Sequence, residues 1–189
     1  MLSIYLDKRQ LNGLNSLLGK NLLQLLMEGC GIILTEQPQV RSGRFFVLYF
    51  QDEHRNTILL KAAFDTPLFD LTESKKFNLK VKKTKNLKID FRKYKCSLSF
   101  PKKFIINLIK IYYSVFEKGE GEPISFIQGI SFQDELGNSV VFSQEDLPNS
   151  FEVRFNDRAF LEKISQGSES IFEIKADSDN NPKQELVNY

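Results

Sequence analysis

A length of 189 residues fits one domain, or two small ones, with a real core, and 41% hydrophobic against 26% charged residues is the balance of a soluble globular protein. Cys30 and Cys96 are too few and too far apart for a disulfide framework or a metal knuckle. They read as two buried free thiols, which favours a reducing, cytoplasmic setting. Met1–Lys8 lacks the basic start and apolar run of a signal peptide, and the longest apolar stretch, Leu22–Leu34, is interrupted and too short to span a membrane.

In chain order, Ser3–Leu6 reads as a short strand stopping at Asp7, a good helix N-cap. Leu11, Leu14, Leu18, Leu22 and Leu25 recur at spacings of three and four, which predicts a helix, weakened or split by Gly13 and Gly19. Ile32–Thr35 reads as a strand. Arg44–Gln51 and Thr57–Ala62 flank the polar turn Asp52–Asn56 as a hairpin. In Phe77–Lys82, Phe77, Leu79 and Val81 alternate with lysines and Asn78. Leu87, Ile89 and Phe91 alternate with Lys88, Asp90 and Arg92 across a turn at Lys83–Asn86. The apolar phase then slips to Tyr94, Cys96, Leu98 and Phe100, as a β-bulge near Arg92–Lys93 would cause.

Pro101 suits the first turn of a helix. The polar stripe Lys103, Asn107, Lys110, Ser114 and Glu117 then predicts a mostly buried helix, with a long strand as the competing reading because of its β-branched content. Lys118–Pro123 is a break in hydrophobicity and in charge sign. After it come a hairpin (Ile124–Phe132 and Ser139–Phe142), a strand (Phe151–Phe155), a helix from Arg158 to Ser165 capped by Asn156 or Asp157, and a last strand (Ile171–Ala176). Asp177–Tyr189 is polar and reads as a disordered tail. Ile4–Arg9 and Val153–Arg158 echo one another as strand, polar cap and helix, as a repeat of two α+β halves would.

The fold expected is α+β, with predominantly antiparallel sheet and two or three packed helices. It divides into residues 1–118 with the basic ribbon, an acidic β-rich part at 119–176, and the tail, an arrangement that allows two subdomains.

Charge carries the strongest signal. Lys75–Lys110 holds thirteen cations against the single acid Asp90, whereas the residues after it hold six cations and fifteen acids. An AT-rich coding bias would raise lysine everywhere but would not clear acids from one window. Alternation places Lys76, Lys80, Lys82, Lys88 and Arg92 on one face, with Lys83, Lys85, Lys93 and Lys95 flanking them. Same-face cations about 7 Å apart along a strand can track a phosphate backbone. Phe77 and Phe91 fall on the opposite face, so base stacking is not expected. The partner is therefore DNA or RNA contacted through its backbone, or else an acidic protein surface. A solvated outer face protected by lysines is the plain alternative. The acids Glu117, Glu120, Glu122, Asp134, Glu135, Glu145 and Asp146 could dock on the ribbon, within one chain or between copies as a homo-oligomer.

Enzyme patterns are weak. Asp157 with Glu173–Ile174–Lys175 resembles the metal-binding pattern of PD-(D/E)xK nucleases, whose carboxylates converge on Mg²⁺ beside a lysine. In that family more sheet and helix follow, and here a polar tail does. Asp157 is better explained as a helix cap. His54, the single histidine, sits in a turn beside Glu53, and Cys96 lies among lysines but in phase with the apolar face. No phosphate-binding glycine motif is present. The expected protein is a non-enzymatic accessory or regulatory binder of nucleic acid without a cofactor. The alternative is an adaptor or inhibitor that meets an acidic partner.

Overall fold

The computed structural model describes residues 6–27, 30–33, 39–42, 45–64, 77–84, 94, 96–100, 103–116, 124–144, 151–176 and 182–188. Its first part contains α1 (Lys8–Asn15), β1 (Asn21–Met27), β2 (Cys30–Ile33), β3 (Gln39–Ser42), β4 (Phe45–Gln51), β5 (Thr57–Phe64), β6 (Phe77–Thr84) and β7 (Cys96–Ser99). The second contains β8 (Ile106–Phe116), β9 (Ile124–Asp134), β10 (Ser139–Gln144), β11 (Phe151–Phe155), α2 (Arg158–Gln166), β12 (Ser170–Ala176) and β13 (Pro182–Asn188).

The strands form two antiparallel sheets, one ordered β6-β5-β4-β1-β7 and the other β13-β12-β8-β9-β10-β11-β3-β2. Alternation supplies each with an apolar inner face, and the two faces bury one another. Phe46 of β4 stacks on Phe142 of β10 with centroids 4.1 Å apart, and tilts against Phe151 of β11 at 5.0 Å. Phe50 meets Phe132 of β9 at 6.1 Å. The second sheet is also apolar outside, where Tyr112, Val141 and Ile171 are covered by Ile164, Phe160 and Leu161 of α2. A third cluster, Leu26, Val47 and Tyr49 with Leu59 and Tyr94, lies on the outer face of the first sheet.

The α+β expectation holds at the coarse level, as two antiparallel sheets with two helices among the described residues, but the first expected helix keeps only its N-terminal part and the one expected after Pro101 is largely strand. The leucine stripe ends its helix at Asn15, and Gly19, at φ +71, turns the chain into β1. Leu22 and Leu25 sit three apart yet both face the core, because the register shifts between Leu22 and Gln24. A bulge in a strand thus imitates helical spacing. The same device misleads at residues 103–117. Bulges between Ile106 and Leu108 and between Tyr112 and Tyr113 reset the phase of β8. That strand is buried on both faces, so it reads as one apolar run.

Both helix caps are where the residue types placed them. Asp7 and Gln10 form a reciprocal capping box, and the Asp157 carboxylate accepts the Phe160 N–H. Gly13 has a further role, since a Cβ there would meet Val81 Cγ2 at 2.9 Å; its absence lets α1 sit close on β6. The polar tail is not wholly disordered, because β13 pairs with β12 from Ser170↔Asn188 to Ala176↔Pro182. The expected boundary at 119–123 lies outside the described residues, and the strands flanking it, β8 and β9, are neighbours in one sheet. The expected strands at 3–6 and 87–92 and the bulge at 92–93 also lie mostly or wholly outside. Cys96 is disulfide-bonded, which corrects the reading of two free thiols. No helix among the described residues is long and apolar enough to cross a membrane.

Candidate nucleic-acid interface

The ribbon is visible through β6. Register places Val81 opposite core-facing Leu60, so its neighbours Lys80 and Lys82 point to the outer face, and both are exposed. This is the alternation expected. Directly opposite Lys80 across the β5–β6 ladder stands Lys61, also exposed, which lies outside the basic stretch 75–110 in sequence. Directly paired side chains lie on one face with Cβ atoms about 5 Å apart. The outer face of this edge therefore carries three cations in a compact triangle.

Lys83 behaves differently. It has the inner-face phase, opposite Ile58, and its Nζ lies 3.0 Å from Asp52 Oδ2. Asp52 begins the β4–β5 turn, where its carboxylate accepts the N–H groups of His54 and Asn56 and the Asn56 side-chain amide. The Asn56 amide and then the Lys83 ammonium hold its carboxyl well below the usual carboxylate range. Lys83 is thus tied to a structural turn. Lys76, Lys85, Lys88, Arg92, Lys93 and Lys95 lie outside the described residues.

The other candidates are engaged elsewhere. Asp157 caps α2 and accepts from Arg154 at 3.0 Å. Glu173 faces Lys110 at 2.7 Å, and Lys175 lies 2.9 Å from Glu185 of β13. His54 is exposed on its turn, 3.5 Å from Glu53. Among the described residues no three His, Cys, Asp or Glu side chains are grouped to hold a metal ion. Cys96 does follow the apolar phase, half-buried against the core with Leu98, whereas Tyr94 packs on the outer cluster. A groove of about 300 Å³ runs between α2 and the strands, lined by Lys110, Tyr112 and Gln133 and by Arg158, Leu161 and Glu162. Both of its cations are paired, Lys110 with Glu173 and Arg158 with Glu162 at 3.1 Å.

The class these features define is a two-sheet antiparallel β-sandwich with a basic outer edge. Comparison with protein-family models, with curated proteins and with solved structures finds no match for the chain.

Proposed function

We propose that this chain is a non-enzymatic accessory or regulatory protein that binds nucleic acid through the phosphate backbone, using the basic β-ribbon centred on β6. The observation that supports it is the outer-face triangle of Lys61, Lys80 and Lys82 on adjacent strands. A polyanion laid across exposed cations grouped this closely would release its own counterions and gain affinity. Such contacts position a duplex without reading its bases. Since Cys96 is disulfide-bonded, the free thiols that favoured a cytoplasmic location give way to a bond that favours an oxidising compartment.

Fluorescence anisotropy with labelled duplex DNA, single-stranded DNA and RNA tests the reading. Affinity should fall steeply between low and moderate salt, with a log–log slope corresponding to several released counterions. Absence of binding at low salt would overturn it and make an acidic protein surface the partner to pursue.

A further inference from the structure

The two sheets share one plan. Strands β1, β4, β5, β6 and β7, with β2 and β3 intervening after the first, lie in the order fourth, third, second, first, fifth. Strands β8, β9, β10, β11 and β12 do the same in the other sheet, to which β2, β3 and β13 add at the edges. The match extends to individual rows. Leu98, Leu25, Leu48, Leu60 and Val81 are successive partners across the first sheet. Phe172, Ile111, Ile130, Phe142 and Val153 are the same partners across the second, and both rows face the shared core.

The central hairpins close identically. Asp52–Asn56 and Asp134–Asn138 are five-residue turns in which the leading Asp accepts the N–H groups of the third and fifth residues. In each, the closing Asn donates its side-chain amide back to that carboxylate. The fourth residue is left-handed in both, Arg55 at φ 60 and Gly137 at φ 83. This equivalence pairs strands β1, β4, β5, β6 and β7 with β8, β9, β10, β11 and β12. It differs from the echo between Ile4–Arg9 and Val153–Arg158, although the acidic caps of that echo are real.

We infer that the sandwich is a duplicated five-stranded unit whose two copies have diverged at one corresponding place, the outer face of the fourth strand, so that only the first copy presents it to a polyanion. The matched registers make Lys61, Lys80 and Lys82 the counterparts of Ser143, Glu152 and Arg154. In the second copy that place is closed. Arg154 is held by Glu152 and Asp157, its guanidinium lies 4.7 Å from the centre of the Phe160 ring of α2, and Ser143 is buried. In the first copy the acid's place is taken by Lys80 and the small buried residue's place by Lys61, and all three positions are exposed cations. In the second copy this place holds one acid beside one base. With Lys80 in place of the acid, the base two residues on, Lys82, has no carboxylate beside it on its own strand, and both side chains are exposed. The second part of this inference rests on the phosphate-binding reading above.

Charge exchange at the two equivalent positions tests both parts. K80E places a carboxylate beside Lys82 and opposite Lys61, as Glu152 stands beside Arg154. Its melting midpoint should rise by about 2 °C, while affinity for labelled duplex DNA at low salt falls about tenfold. E152K is the mirror change: the midpoint should fall by about 4 °C with DNA affinity unchanged. E152Q stands in for it if that chain does not fold. A midpoint lowered by K80E would overturn the equivalence of the positions. Equal losses of DNA binding in K80E and E152K would overturn the division between copies. Failure of the unaltered protein to bind DNA, with K80E still raising the midpoint, would overturn the proposed function and leave the duplicated frame supported.

Discussion

At the scale of single residues, the twin turns show how little local sequence is needed to close a hairpin. Asp at the first place and Asn at the fifth satisfy the turn's N–H groups from inside, and both Asp52 and Asp134 are buried while doing so. Asp134→Ala leaves the Leu136 and Asn138 N–H groups without their carboxylate and should cost about 2 kcal/mol in urea denaturation. The left-handed fourth place favours glycine. Gly137→Ala should therefore destabilise by about 1 kcal/mol, and Arg55→Gly should not destabilise. In the core, Phe142 touches the rings of Phe46, Phe132 and Phe151, so Phe142→Ala opens a cavity between the sheets and should cost about 4 kcal/mol.

At the scale of elements, packing and ion pairs decide which strands stay attached. A Cβ added to Gly129 of β9 would lie 2.8 Å from Ile164 Cδ1 of α2 and 2.8 Å from the Phe142 carbonyl oxygen. The oxygen belongs to the neighbouring strand's backbone and cannot yield cheaply, so Gly129→Ala should destabilise by about 2 kcal/mol and loosen α2. Hydrogen exchange at the α2 amides would show the loosening. The edge strand β13 is held partly by charge. Lys183 and then Lys175 lower the Glu185 carboxyl from 4.5 to about 2, and the Glu185 hydrogen bond raises Lys175. A lowered acid stabilises the fold above its unfolded pKa and loses that contribution as pH falls through the folded one. Attachment of β13 should accordingly weaken between about pH 4.5 and 2, read from exchange at the β12–β13 amides.

Over the whole molecule, stability should decline at both ends of the pH range. On the acid side Asp52 adds to Glu185, because its depressed carboxyl must be protonated for the β4–β5 turn to lose its anion. Asp52→Asn should lower stability at neutral pH and flatten the acid decline. On the alkaline side, burial and then Tyr94 push the Tyr49 hydroxyl up to about 12, and burial raises Tyr112 and Tyr113. These phenols are neutral in the fold, so their contribution is complete below pH 10 and is lost as pH rises through their folded values. Denaturation midpoints measured across pH 2 to 12 would check both limbs.

Local chemistry in the sequence determined the two acidic helix caps, the hairpins closed at Asp52–Asn56 and Asp134–Asn138, and the alternation that turns Lys80 and Lys82 outward. Each depends on residues within one turn or one strand of one another, where side-chain direction and hydrogen-bonding capacity act without help. Only the tertiary structure decided the rest. Bulges in β1 and β8 place core residues three apart, so helical and strand spacing become indistinguishable until the neighbouring ladders are formed. Pairing with β12 makes a strand of the polar segment 182–188. The approach of Lys61 to Lys80, the diversion of Lys83 to Asp52, and the correspondence of the two sheets all join residues distant along the chain. Charge and periodicity in any one window carry no record of such partners; register between strands supplies it.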